Sequence, residues 1–508
     1  MVKALSTLFN RSTAPSQSQN SRNVPASVMV PRLMVGCSVV ALIAIGLVMV
    51  YSAGSIKGID EQGDAAYYLI RQLVWVVVGG ALCFGFSRLD YHVWLGRANS
   101  IFFGVCMLML LATFLFGVVG LGAKRWLDLG FVSLQPSEFA KIAFMLMGAR
   151  IMHGYQHNQY STIKAAGMMI GLVIVPLLFL FWTQSDLGTT AICLFGLYVL
   201  LWMAEVNWKI MLAVAVIVIF FALAATFLVS YRSDRLAFVD PWADPYGNGY
   251  QLIHSLYAFA QGGLFGKGLG NSAEKYLYLP ESQTDFVFSV WAEETGLLGT
   301  LFVVALFLVF LLGGLKVAQA APDHLGQMIV TSLVAMLVFQ AFLNMGCVMS
   351  IFPTTGKPLP FLSYGGSSMF SSLIMVGIIW SVSRCSDDSE VYRQRRDDLQ
   401  LITSDRRRSS ADVAESGRVP ERSPERGGSS RKRSSFGFGG RGIADRGTSR
   451  FDMRDAADRG ARGVSGFGGN SGRLELAGQS ASSRESRKGD RMGFSTSRRS
   501  SLQEKRGR

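Results

Sequence analysis

The chain has no CxxC pair and no regular cysteine spacing. Its six cysteines (Cys37, Cys83, Cys106, Cys193, Cys347 and Cys385) are scattered, five of them inside apolar runs. This pattern excludes a disulfide framework and a cysteine-ligated zinc site. No cleavable leader is expected, because the first apolar run follows about thirty polar residues and is long enough to span a bilayer. The dyad alternation of a membrane barrel is also missing, and an open sheet does not survive in lipid.

What is present in excess is apolar sequence. Half of the 508 residues are hydrophobic, and the mean hydropathy is +0.31 despite 49 Lys+Arg and 35 Asp+Glu. The charge is unevenly placed. From Arg384 onward there are 29 Lys+Arg and 18 Asp+Glu, so this segment carries +11 of the net +14. These numbers exclude an all-soluble enzyme and predict a polytopic membrane domain followed by a basic tail.

Runs of about twenty apolar residues, the length that crosses a hydrocarbon core of about 30 Å, recur along the chain. They predict an all-α polytopic membrane protein with ten transmembrane helices, near 32–52, 67–87, 98–119, 138–153, 165–183, 187–204, 209–230, 286–313, 326–350 and 367–383. The expected organisation is an N-terminal segment (1–31), a membrane domain (32–383) and a tail (384–508). The tail is rich in Arg, Ser and Gly and too poor in aliphatics to build a core, so disorder is expected there. Its basic character suits anionic headgroups or acidic proteins better than nucleic acid, since aromatics are sparse.

Short-loop cations set the orientation. Lys3, Arg11, Arg22 and Arg32, then Arg88 with Arg97, Arg150 with Lys164, and Lys316 belong inside, which places both termini in the cytoplasm. The intervals 120–137, around Asp186, 231–285 and 351–366 then lie outside, and they hold nearly all the Gly-, Pro- and charge-dense motifs. The large extracytoplasmic loop between helices 7 and 8 (231–285) is too long for a passive connection. Within it, Tyr250 to Gln261 reads as an amphipathic helix. Lys57 stands in an outer loop without a motif.

Four stretches carry candidate chemistry. Leu279-Pro280-Glu281-Ser282-Gln283-Thr284-Asp285-Phe286 ends the large loop, where Asp285 is either a proton acceptor with a raised pKa or the cap of the following helix. Glu293 and Glu294, two turns further on, either line a wet cavity or bond between helices. Lys124-Arg125-Trp126 suits a phosphate at headgroup level, or an interfacial anchor, and is followed by Gln135-Pro136-Ser137-Glu138, in which Ser137 is a natural helix cap, and by Lys141. Pro353-Thr354-Thr355-Gly356-Lys357-Pro358-Leu359-Pro360-Phe361-Leu362-Ser363-Tyr364-Gly365-Gly366 has three prolines and three glycines, which forbid a continuous helix. It is either buried cavity lining or a tight outer turn.

With Asp186-Leu187-Gly188-Thr189, Tyr231-Arg232-Ser233-Asp234-Arg235 and the glycine run from Gly262 to Gly270, these motifs occur in the order found in the SEDS family (shape, elongation, division, sporulation), which the chain resembles from about residue 30 to 384. The tail lies outside the resemblance. The long terminal extensions lean toward the division branch. The resemblance implies ten transmembrane helices and a peptidoglycan glycosyltransferase that polymerises lipid II at the outer face of the bacterial cytoplasmic membrane, at the division septum. It also implies a class B penicillin-binding transpeptidase as partner, together with other divisome proteins, and it maps the essential loop aspartate onto Asp285. Candidate substrate-binding residues are Lys124, Arg125, Asp186, Arg232, Arg235, Lys275, Glu281 and Ser363. No metal ligands are expected, although a divalent cation, magnesium or manganese, would suit the pyrophosphate. A lipid II flippase and a non-catalytic divisome scaffold are the rival readings. A flippase needs polar contacts on both faces, whereas the inner loops are short, and a scaffold needs no carboxylate at Asp285.

Overall fold

A computed structural model describes residues 26–386, apart from 121–122, 129, 131–132, 217–237, 248 and 277. The chain divides into two units, Met1–Pro420 and Glu421–Arg508, and the described residues all fall in the first. Most of both expected terminal segments (1–25 and 387–508) and most of the run at 209–230 lie outside the described residues.

Among the described residues, seven helices are long and apolar enough to cross a membrane. They are α1 (Ala26–Gln62), α2 (Tyr67–Arg88), α3 (Arg97–Phe116), α5 (Thr162–Gln184), α8 (Val287–Gln319), α9 (His324–Val348) and α10 (Gly366–Ser386). Two more apolar helices, α4 (Pro136–Gln156) and α6 (Leu187–Met203), fall between them in the chain. The short amphipathic α7 (Tyr250–Gly262) stands where the sequence predicts it. Most helix ends lie within a few residues of the hydropathy boundaries, but α1 and α8 run well past theirs.

Burial sorts the helices into an inner and an outer set. In α9 and α10, 83% of the apolar window is buried, against 17% in α2 and 28% in α3. Exposed apolar side chains on α2 and α3, such as Val77, Phe84, Ile101 and Leu108, suit hydrocarbon contact. At the centre, α9 packs on α8, α6 and α4, and α8 packs on α1.

Two local expectations are corrected. The all-α expectation is corrected near 120–137, where β1 (Val118–Gly120), β2 (Ala123–Asp128) and β3 (Ser133–Leu134) form a small antiparallel sheet in the order β1-β2-β3. The fold is thus helical with a minor strand element. Ser137 does not cap α4: the cap position is Gln135, and Pro136 holds the first turn, where its missing N–H costs nothing. The Ser137 Oγ is buried without a hydrogen bond among the described residues.

Candidate active site

The site is built on a break in α8. Gly296 has φ +69° and interrupts the helix, and the glycine-run backbone lies across the break. Lys267 and Gly268 donate their N–H groups to the Glu293 and Glu294 carbonyls at 3.0 and 2.9 Å, while Leu297 donates to the Gly263 carbonyl at 2.9 Å. Gly266 (φ +78°) and Gly296 face each other so closely that a Cβ on either would strike backbone. The run from Gly262 to Gly268 therefore serves backbone contact with α8.

Glu293 and Glu294 precede the break, and the exposed apolar face of α8 (Leu297, Leu298, Leu301, Phe302) follows it. Neither glutamate faces lipid. Glu293 accepts from Lys267 at 2.7 Å, Ser272 Oγ at 2.5 Å, and the N–H groups of Ala273 and Glu274 at 2.9 and 3.3 Å. Glu294 accepts from Ser52 of α1 at 2.5 Å and pairs with Lys275 at 3.4 Å. Glu294 bonds between α8 and α1, as one alternative expected, whereas Glu293 ties the large loop to α8.

Asp285 stands just before this segment, outside the spanning helix. It does not cap α8: Phe286 holds the N-cap position and no side chain caps the helix. The capping alternative is thereby removed, and among the described residues no hydrogen bond reaches the Asp285 carboxylate. The residue is half-buried, beside Gly356, where an added Cβ would lie 3.6 Å from Oδ2. Burial and the Glu281 carboxylate push its pKa up to about 6, against the pull of Lys357 and Arg125. A carboxylate so placed is poised to take a proton near neutral pH.

Beneath it lies a buried ionic network. Lys357 binds Asp186 at 2.6 Å and approaches Glu138 at 3.9 Å, and Lys141 binds Glu138 at 2.7 Å and Gln340 at 2.7 Å. All four charged residues are almost fully buried, and two carboxylates balance two ammonium groups. A buried charge without such a partner is strongly destabilising. Asp186 also caps α6 through Thr189. Burial works to raise its pKa, but Lys357 and the Thr189 bonds hold it below the usual carboxylate range.

The other sequence candidates fall into distinct places. Arg125 donates to the Gln184 and Ser185 carbonyls at 2.9 and 3.2 Å, docking β2 on the end of α5. Lys124 reaches the terminal carbonyls of α3, a favourable place for a cation. Lys275 is buried against Ser52, the Gly270 carbonyl and Glu294. It borders a cavity of about 410 Å³ between α1 and residues 269–276. Ser363 accepts from the Leu359 N–H at 2.8 Å and closes the turn before α10. Glu281 is exposed and strained, with φ +55°, and it pairs with Lys57 at 3.2 Å. Lys57, expected in an outer loop, instead stands in the last turns of α1 and touches the Asp285 loop. Arg232 and Arg235 lie outside the described residues.

Residues 32–388 match the family described as cell cycle protein, which groups FtsW, RodA and SpoVE. The chain belongs to the SEDS family. The SEDS relatives include a probable peptidoglycan glycosyltransferase FtsW of Geobacter metallireducens, 39% identical over 68% of this chain and 92% of its own length. The stage V sporulation protein E of Bacillus subtilis is 34% identical over 70% and 98%. Among solved structures, a chain of a peptidoglycan synthase complex superposes with a TM-score of 0.57 at 29% identity, over 69% of this chain and 97% of that one. The rod shape determining protein RodA of Thermus thermophilus superposes with a TM-score of 0.51 at 27% identity, over 72% and 98%. These likenesses cover the helical region, and the chain is a multi-pass membrane protein.

Sequence reasoning missed two residues that the structure brings to Asp285. Lys357 stands in the Pro/Gly stretch, and a lone cation among apolar residues was its only signal. Asn344 lies in mid-helix on α9, and its amide donates to the Asp285 and Lys357 carbonyls at 2.9 and 2.8 Å. Nothing in the sequence points to that bridge.

Proposed function

We propose that this protein is a peptidoglycan glycosyltransferase that polymerises lipid II into β-1,4 glycan strands at the outer face of the cytoplasmic membrane during cell division. The observation that carries the reading is the Asp285 carboxylate, half-buried, unused by the helix cap and within the fields of Lys357 and Arg125. An α-linked pyrophosphate donor that yields a β linkage inverts at the anomeric carbon in one displacement, for which one base and a stabilised leaving group suffice. Asp285 takes the proton of the acceptor 4-hydroxyl, the oxygen attacks the anomeric carbon, and the bond to pyrophosphate breaks with the electron pair leaving on phosphate. We assign pyrophosphate stabilisation to cations of the outer loops, from the set Lys124, Arg125, Arg232, Arg235 and Lys275. Among the described residues, no three His, Cys, Asp or Glu side chains stand together as metal ligands. In this proposal a magnesium or manganese ion accompanies the substrate pyrophosphate.

The proposal includes ten transmembrane helices, cytoplasmic termini and an outer loop over 231–285, in line with the placement of short-loop cations. The partner is a class B penicillin-binding transpeptidase within the divisome. The test is lipid II polymerisation by the purified chain with and without that transpeptidase. Failure to make glycan in both conditions overturns the reading.

Two outcomes follow from the geometry. A base with a pKa of about 6 must be ionised to act, so the polymerisation rate should rise as pH increases through 6 and level off above 7. A rate that falls over that interval would identify a protonated group instead. Replacing Arg125 with Gln should weaken lipid II use several-fold more than Lys164→Gln, a change at an exposed cation far from the outer loops in sequence. Equal effects on the apparent KM would favour the anchoring role.

A further inference from the structure

We propose that the junction Asn344 makes between the Asp285 and Lys357 backbones positions Asp285, Asn344 fixing where the carboxylate stands and Lys357, held at the same junction, favouring its anion. The proposal rests on the reading of Asp285 as the base and concerns how this fold prepares it. Asn344 and Gln340 lie one turn apart on the same face of α9. Gln340 donates to the Pro358 carbonyl at 2.9 Å, and Asn344 donates to the Lys357 carbonyl at 2.8 Å and the Asp285 carbonyl at 2.9 Å. One amide thus joins two segments far apart in the chain, the end of the large loop and the broken stretch before α10. This junction places Gly356 against the carboxylate of Asp285. A non-helical backbone has no ladder to hold it, so these side-chain bonds decide its position.

Lys357 extends from the junction into the interior. Its stem crosses Gly188 at a distance that leaves no room for a side chain there, and its ammonium meets Asp186 at 2.6 Å. The charges that act on Asp285 come from three directions: Glu281 on its own loop, Lys357 on the 351–366 stretch and Arg125 on β2. Glu281 is in turn engaged by Lys57. Glu281 disfavours the anion and Lys357 favours it, so their removal must act with opposite sign. A merely structural role for either residue has no such signature.

The experiment titrates the carboxyl stretch of Asp285 by infrared difference spectroscopy on the full-length protein in detergent, using Asp285→Asn as the blank. Lys357→Met should move the midpoint up by about one pH unit, a tenfold fall in the ionised fraction near the midpoint. Glu281→Gln should move it down. If Lys357→Met folds poorly because Asp186 is left unpaired, Asp186→Asn/Lys357→Met removes both buried charges and should show a smaller upward shift, because losing the Asp186 carboxylate favours the Asp285 anion. An unmoved midpoint, or shifts of the same sign in the two variants, overturns the role of Lys357. For Asn344, Asn344→Leu should lower kcat for lipid II about tenfold or more with KM little changed, because the residue holds the base and not the substrate. A loss confined to KM overturns that half. The infrared midpoint is read without substrate, so a wild-type chain that makes no glycan would fail the functional reading while the electrostatic result still stands or falls by itself.

Discussion

Asp285→Asn is expected to abolish glycan polymerisation while the protein folds, stays monodisperse in detergent and binds its transpeptidase. A general base contributes on the order of 10²–10⁴-fold to rate, so the loss should reach at least about 100-fold in kcat. Asn keeps the size of the side chain and an acceptor oxygen but cannot take a proton at neutral pH. Since Asp285 caps no helix and its carboxylate receives no hydrogen bond among the described residues, while the bond from Asn344 goes to its backbone carbonyl, the replacement leaves no broken contact to confuse the result. The check is lipid II polymerisation by purified wild-type and variant protein, with partner binding measured on the same samples. Wild-type glycan yield from the variant would remove Asp285 from the mechanism.

Glu293→Ala should have the largest effect on stability. The carboxylate accepts four hydrogen bonds, from Lys267, Ser272 and two backbone N–H groups, and its side chain is fully buried. Truncation leaves the Ser272 hydroxyl and two amides without an acceptor, each at a cost of about 1–3 kcal/mol. Lys267 is one-third exposed and regains water, so it adds little. The sum is about 3–9 kcal/mol, felt first where the glycine run meets the broken helix. Thermal unfolding in detergent and proteolysis within 262–285 should both register it, with cleavage accelerating before global unfolding. If the melting temperature and the cleavage rate match wild type, the loop is held by other contacts.

Hydropathy alone was enough to read the helical class, because a stretch that must satisfy its own backbone in hydrocarbon shows that requirement in every residue it exposes. The runs at 67–87 and 187–204 end within one or two residues of α2 and α6. The rule weakens where apolar sequence continues outside lipid. Val287 to Thr295 reads as the start of a span, yet it is a separate helical segment before the Gly296 break, and its glutamates bind loop backbone. Chain-local pattern cannot show that break, because the second backbone crossing it is supplied by residues 263–268.

The sequence by itself determined that the chain is helical, membrane-embedded and a SEDS protein, since periodicity, composition and ordered motifs are properties of neighbouring residues. It also brought Asp285 forward as one of two alternatives, base or cap. Only the tertiary structure decided between them, because capping depends on which N–H a side chain reaches. In the same way, the partners of Asp186, Lys57 and Lys275 could not be read from their neighbours. Each has a partner far along the chain, Lys357 171 residues from Asp186, Glu281 224 residues from Lys57 and Ser52 223 residues from Lys275. A buried charge must find its counter-charge wherever the packing places one, and that choice is made by the assembled helices.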